Sequence, residues 1–115
     1  WRILITGDAG FDTEKEMLES GVDLSCDLWV MGRHRSDYSG IMEFVQAVDP
    51  AVIVAAEDRY PLSERVPERW AEAVRGAGIT LWRQGETGAV MMEFREGELE
   101  LRSFRNPGKR MILRK

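Results

Sequence analysis

Apolar residues recur along the chain in short blocks separated by Gly, Pro and Asp. Trp1-Arg2-Ile3-Leu4-Ile5-Thr6 is β-branched and apolar and breaks at Gly7-Asp8, the pattern of a strand. Thr13 followed by Glu16 reads as a capping box, opening a short helix that Gly21 ends after Ser20. Leu28 to Met31 suits a buried strand stopped by Gly32, and residues 32–39 form a polar loop. Ser39 is placed to cap a second helix with Ile41, Phe44, Val45 and Val48 on one face, ended by Asp49-Pro50. Ala51 to Ala56 is a third apolar strand, and residues 57–66 a charged loop. Pro67 stands where a first helical position belongs. The helix after it has Trp70, Ala73 and Val74 as its apolar stripe and closes at Gly76 or Gly78, and Ile79 to Trp82 is a fourth strand.

Gly85 and Gly88 then mark a hairpin-like turn, followed by alternating strands over residues 89–95 and 98–104. In the second of these, Leu99, Leu101 and Ser103 face one way and Glu100 and Arg102 the other. Asn106-Pro107-Gly108 is a turn before a last short strand, Met111-Ile112-Leu113. The order is β-α-β-α-β-α-β with an antiparallel end. Crossover helices of this length imply a mostly parallel or mixed sheet carrying helices. Residues 1–115 form one α/β domain, and no linker or repeat interrupts them.

Composition narrows the chemistry. One Cys and one His exclude an internal disulfide and a Cys/His zinc site built by this chain alone. A Ser-His-Asp triad would have to use His34, and a thiol dyad would have to pair it with Cys26. Cys26 beside an apolar strand reads as an inert core thiol. The four tryptophans, in strands and a helix stripe, read as packing residues, and at most one of Met91 and Met92 belongs to the core. No apolar run reaches the ~18 residues of a membrane span. The chain opens on Trp with no signal-like segment before it, which reads as a piece of something longer. The net charge is -4, unevenly spread. Arg102, Arg105, Lys109, Arg110, Arg114 and Lys115 occupy a tail with no acid, leaving ten basic and twenty acidic residues in positions 1–101. An acidic body of that kind opposes tight binding of polyanions.

In open α/β sheets, chemistry gathers at the C-terminal ends of the strands. Three such ends are informative here: Thr6-Gly7-Asp8, Gly32-Arg33-His34-Arg35-Ser36 and Glu57-Asp58-Arg59-Tyr60. Asp and His on one rim are a plausible metal pair. A Gly-Asp after a strand is ordinarily a turn or cap, however, and a lone loop His is ordinarily solvated. The glycines at 7, 10 and 21 lack the spacing of a phosphate-binding fingerprint.

Thr6-Gly7-Asp8-Ala9-Gly10 with the Thr-Glu-Lys-Glu helix after it resembles the corresponding segment of the metallo-β-lactamase fold. The closer resemblance is to the hydrolase-like domain of competence DNA-internalisation proteins of the ComEC type. That family shows a strand, a Gly-His-His-Gly-Ser loop, a Ser-Gly capped helix ending before a Pro, a buried strand, a Tyr-Gly-His-Pro loop and a helix closing in Ala-Ala-Gly-Ile. This chain has Val30-Met31-Gly32-Arg33-His34-Arg35-Ser36, Tyr38-Ser39-Gly40, Ala47-Val48-Asp49-Pro50, Val52-Ile53-Val54, Arg59-Tyr60-Pro61 and Val74-Arg75-Gly76-Ala77-Gly78-Ile79. Gly85-Glu86-Thr87-Gly88-Ala89-Val90 is similar to its closing turn, and the resemblance covers residues 1–95.

The resemblance implies an α/β chain forming the C-terminal half of an αββα metallo-β-lactamase fold, a mixed sheet with helices on one face. It implies a metal-dependent hydrolase of phosphodiesters in the parent family, with zinc or manganese held by Asp8 as bridging ligand and His34 as terminal ligand. The chain departs from the pattern at the ligands. The His-x-His-x-Asp-His motif of the first half is absent, Arg33 replaces one His of the pair, Arg35 replaces the Gly after it, and no His precedes Pro61. The reading is a DNA-uptake protein's hydrolase-like domain that is inactive as this chain, with no metal bound here. Arg33, Arg35 and Ser36 then form at most a phosphate-contacting rim that binds phosphate or sulfate with millimolar strength. The alternative is a phosphodiesterase or nuclease half-site completed by an upstream segment, so enzyme status stays open. One sheet face of a lone half is expected to lie bare and to dock the upstream half or a homodimer mate. DNA would be met through the parent, a bacterial inner-membrane protein of which this is a soluble domain.

Overall fold

A computed structural model of the chain describes residues 1–32, 38–58 and 60–115. Four strands, β1 (Ile3–Ile5), β2 (Leu28–Met31), β3 (Val52–Ala55) and β4 (Thr80–Arg83), form a wholly parallel sheet in the order β1-β2-β3-β4. Three crossover helices, α1 (Phe11–Glu19), α2 (Met42–Val48) and α3 (Glu68–Gly76), connect them. A sheet whose strands follow chain order through right-handed crossovers receives all its helices on one side, and the packing agrees. Trp29, Met31, Ile53, Ala55 and Leu81 meet Phe44, Val45 and Val48 of α2 and Ala71 and Val74 of α3, with Met17 and Leu18 of α1 at the margin. Trp29 and Phe44 pack edge to face, 5.2 Å between centroids. The buried Trp29 indole donates from Nε1 to Thr6 Oγ1 at 3.0 Å, so its polar atom is satisfied.

After β4 a single turn, α4 (Gln84–Thr87), and Gly88 at φ 63° redirect the chain into a second sheet. This sheet is antiparallel, with β5 (Val90–Arg95), β6 (Glu98–Ser103) and β7 (Arg110–Arg114) in sequence order. The expected single mixed sheet is therefore two sheets, one parallel and one antiparallel. The structure also corrects the expectation of a bare sheet face. Leu28, Val52, Val54 and Trp82 bury their side of the parallel sheet against Leu99 and Leu101, with Val90, Met92, Met111 and Leu113 around them. The chain covers both faces of β3 by itself, so the argument for a homodimer from an open face does not hold. β1 is an edge strand of the parallel sheet, and Ile5 there is 71% exposed.

The basic tail also finds its place here. Strand alternation puts the apolar residues of β6 inward and its charges outward, where they form a lattice. Arg102 reaches Glu93 and Glu100, Arg110 reaches Glu100, and Arg114 reaches Glu98. Lys109 stands over the Trp82 ring, Lys115 bridges Asp27 and the Trp1 ring, and Arg105 donates to the Gly85 carbonyl. All six cations of the acid-free tail are engaged within the fold, so the charge asymmetry of the sequence does not produce a free basic arm. Asp27 also accepts from the Arg2 N–H at 2.7 Å, and this bond foremost, with Lys115, holds its carboxyl below the ordinary Asp range. A carboxyl depressed on folding stabilises fully above its unfolded pKa of about 3.9 and loses that contribution as pH falls through the lower folded value. We expect Asp27→Asn to flatten the acid limb of a stability–pH curve and to lower stability at neutral pH. An unchanged acid limb would show that Asp27 does not contribute.

Three local expectations shift. The α1 helix begins at Phe11 with Gly10 as N-cap and no side-chain cap, so Thr13 and Glu16 lie inside it and make no capping box. Pro67 is the N-cap of α3 and not its first residue. The 85–88 segment is the end of the α4 turn and not a hairpin. Cys26 is half-buried, donates to the Leu28 carbonyl at 3.3 Å, and has its thiol pushed up by burial, which fits an unreactive sulfur. Met92 faces the core and Met91 is exposed, as the alternation implies.

Candidate functional site

The C-terminal ends of the parallel strands form a rim with two separately braced halves. The first half joins the β1–α1 and β2–α2 loops. Gly7 adopts φ 56°, the Ala9 N–H donates back to the Thr6 carbonyl at 3.1 Å, and Asp8 is left exposed at the tip. Gly32 ends β2 directly against this turn. A Cβ on Gly32 would fall onto the carbonyl O and C of Gly7, so backbone touches backbone at this point. Only a residue without a side chain lets the loop after β2 start beside Asp8. We expect Gly32→Ala to cost about 1–3 kcal/mol by overpacking. Gly21→Ala, at φ 75° with open space around its Cβ position, should cost less. Urea unfolding of the two variants checks this, and a Gly32→Ala protein as stable as the parent would show that the strand ends can part.

The far side of the same loop is tied down by three elements. The Ser39 hydroxyl donates to the Ala9 carbonyl at 2.6 Å. Trp70 of α3 donates from Nε1 to the Gly40 carbonyl at 2.6 Å, with its ring against Gly40 at φ 78°. Glu14 of α1, almost wholly buried, accepts the Gly40 N–H at 2.8 Å and the Ile41 N–H at 3.1 Å. Ile41 is the N-cap of α2 and offers no side-chain cap of its own. The expected capping by Ser39 is replaced by a carboxylate reaching across from another helix. Its negative charge also suits the positive end of α2. The calls on Arg33, His34, Arg35 and Ser36 lie outside the described residues. Of the named site residues, Asp8 is the one the structure places.

The second half lies at the ends of β3 and β4. Glu57 and Arg83 are each 4% exposed in their side chains and form a two-point ion pair, Nε to Oε1 and Nη2 to Oε2, both at 3.1 Å. Arg83 also donates to Glu68 Oε1 at 2.7 Å and to the Val66 carbonyl at 3.3 Å, while Glu57 accepts the Val66 N–H at 2.9 Å. Burial works against the Arg83 charge, but the bonds from Glu57 and Glu68 outweigh it and raise its pKa above the ordinary value. Gly85 packs on the Glu57 carboxylate so closely that a Cβ there would lie 2.6 Å from Oε1. A cleft of about 240 Å³ opens above this pair, lined by Glu57, Tyr60, Leu62, Arg65, Gly85 and Glu86.

Among the described residues, the rim carboxylates do not gather into a two-metal centre. Asp8 is an exposed carboxylate at the rim, whereas both oxygens of Glu57 are already taken by Arg83 and Val66. Among the described residues, no three His, Cys, Asp or Glu side chains converge on one point. Glu14 and Arg83 were not singled out in the sequence, yet each leaves a trace there. Glu14 interrupts the stripe it makes with Met17 and Leu18, and Arg83 falls in the same strand phase as buried Leu81. A charge in a buried phase signals a buried partner. Compared with protein-family models, with curated proteins and with solved structures, the chain matches none.

Proposed function

We propose that the chain is the C-terminal half of a metallo-β-lactamase-like domain of a ComEC-type DNA-uptake protein, acting as a structural module and not as a hydrolase by itself. The observation that carries this reading is the Gly7–Gly32 contact, which sets the Asp8 turn beside the end of β2. An Asp turn beside the end of the second strand is compatible with what the family resemblance implies for its bridging Asp. The parallel sheet with helices on one face is compatible with such a half. The engaged Glu57 favours a silent module over the alternative of a nuclease half-site completed from upstream. The exposed β1 edge at Ile5 is where an upstream half would continue the sheet.

Calorimetric titration with zinc and manganese, alongside a phosphodiester turnover assay, tests this. The expected result is no site tighter than about 1 μM and no turnover, because a binuclear centre needs more ligands than Asp8 and His34 supply. A tighter zinc site abolished by His34→Ala would overturn the silent module and restore the half-site reading. A site unaffected by Asp8→Asn and His34→Ala would count against the family reading itself.

A further inference from the structure

β5 is an edge of the antiparallel sheet. The Phe104 N–H donates to the Ala89 carbonyl, which fixes the alternation of the β5–β6 ladder. Met91, Glu93 and Arg95 turn their backbone groups toward Arg102, Glu100 and Glu98 of β6. Val90, Met92 and Phe94 therefore point theirs away from β6, and no described residue hydrogen-bonds to those N–H and C=O groups. Val90 and Met92 lie at the margin of the core, and Phe94, in the same phase, is 48% exposed. No proline and no charge occupies the phase that carries the free groups, so this edge lacks the usual protection against strand pairing. The other edge of the sheet differs. On β7 the backbone groups facing away from β6 belong to Arg110, Ile112 and Arg114, and both arginines are exposed.

Side chains decide what such an edge can pair with, and β5 matches itself. Set two copies antiparallel about a two-fold axis at Met92. Met92 then faces the partner's Met92, Val90 faces the partner's Phe94, and about six backbone hydrogen bonds form from groups that are otherwise free. Val90 against Phe94 is a β-branched–aromatic pair, the kind that stabilises sheets, and it covers the exposed ring. On the outer face Met91 meets the partner's Glu93, whose charge Arg95 and Arg102 of its own chain already hold. The neighbouring registers are worse. A two-residue slip one way sets Glu93 directly against the partner's Glu93, like charge on like charge. The opposite slip sets Phe94 against the partner's Gly88, which at φ 63° has left the strand. A one-residue slip calls on backbone groups already spent on β6.

We propose that β5 is a homodimerisation strand: two copies of the chain join β5 to β5, antiparallel and centred on Met92, into one continuous sheet. The contact is a strand edge and not the sheet face that the chain already covers, and it is independent of the hydrolase-like reading. The joined strands bury less than the roughly 1,600 Å² of a standard interface, so the dimer should be weak.

Sedimentation equilibrium of the chain, with amide NMR over the same concentrations, tests this. The expected result is a monomer–dimer equilibrium with Kd between about 10 μM and about 1 mM. Concentration-dependent shifts should centre on residues 89–95, and exchange at the Val90, Met92 and Phe94 amides should slow as the dimer fills. In a mixture of labelled and unlabelled chains, an intermolecular contact between Val90 and Phe94 is expected. Met92→Pro removes a free N–H and no bond of the β6 ladder, and should weaken the dimer by about tenfold or more. Should that variant fail to fold, Phe94→Lys, at an exposed position, should weaken it by a similar factor. Ile112→Lys, on the β7 edge, should leave Kd within about twofold. A chain that stays monomeric at about 1 mM would overturn the proposal. So would shifts centred on β7 or on the helices, or a dimer indifferent to both β5 variants.

Discussion

Arg83→Ala is expected to be the most damaging single substitution in this chain, lowering unfolding free energy by about 3–5 kcal/mol. The cause is what it leaves behind. Glu57 is 4% exposed in its side chain and spends both oxygens on the guanidinium and the Val66 amide. Removing the cation strands a buried carboxylate, and the loss of one member of such a pair costs that much. Glu57→Ala should be damaging but less so, since Arg83 keeps Glu68 and the Val66 carbonyl as partners. Replacing both, Arg83→Met with Glu57→Leu, should recover most of the loss, because the pair's own attraction is largely offset by its desolvation. Glu68→Gln should matter little, since that side chain is 60% exposed and only its near oxygen is engaged. Urea unfolding of the four variants checks the pattern. A double variant as unstable as the singles would show that the polar clamp is needed in itself, through the Val66 bonds that close the loop.

The elements of this fold could be read from the sequence wherever the two periodicities were clean. Val52 to Ala55 is buried on both faces and reads as an unbroken apolar run, whereas β6 alternates in sequence, with Leu99, Leu101 and Ser103 buried on one face and Glu100 buried among arginines on the other. The layering could not be read, because it depends on which way the chain turns after β4. One helical turn and Gly88 carry β5 under the parallel sheet instead of alongside it. Local sequence cannot distinguish these routes, since both use the same Gly-bounded segment. Helix starts misled for a related reason. Thr13 and Ser39 have the chemistry of caps, but the α2 cap is supplied from α1, 27 residues away between Glu14 and Ile41. Likewise the basic tail looked like an arm because its counter-charges, Glu93, Glu98 and Glu100, lie one strand back and become neighbours only on pairing. Of the site, the exposed position of Asp8 just past β1 was legible from the strand end Thr6-Gly7-Asp8. The Glu57–Arg83 pair was not, because Glu57 alone resembles an ordinary loop charge and nothing local joins it to Arg83.

Glu14→Ala is the second large effect, expected to cost about 2–4 kcal/mol. Glu14 is 1% exposed and accepts two backbone amides that have no intrahelical acceptor at the start of α2. Truncation leaves those donors buried and unpaired, and each such group costs about 1–3 kcal/mol. It also removes the negative charge from the helix N-terminus. α2 has seven residues and no cap of its own, so it depends on this carboxylate more than a long helix would. The loss should be local before it is global. Hydrogen exchange should accelerate first at Gly40, Ile41 and the opening turn of α2, while amides of β2 and β3 stay protected until the chain unfolds. Glu14→Gln keeps one acceptor oxygen and should fall between the parent and Glu14→Ala. The competing view is that position 14 is merely a buried site that tolerates any side chain of that volume. On that view Glu14→Leu would be as stable as the parent and Gly40 exchange would not change, and that result would remove the capping role.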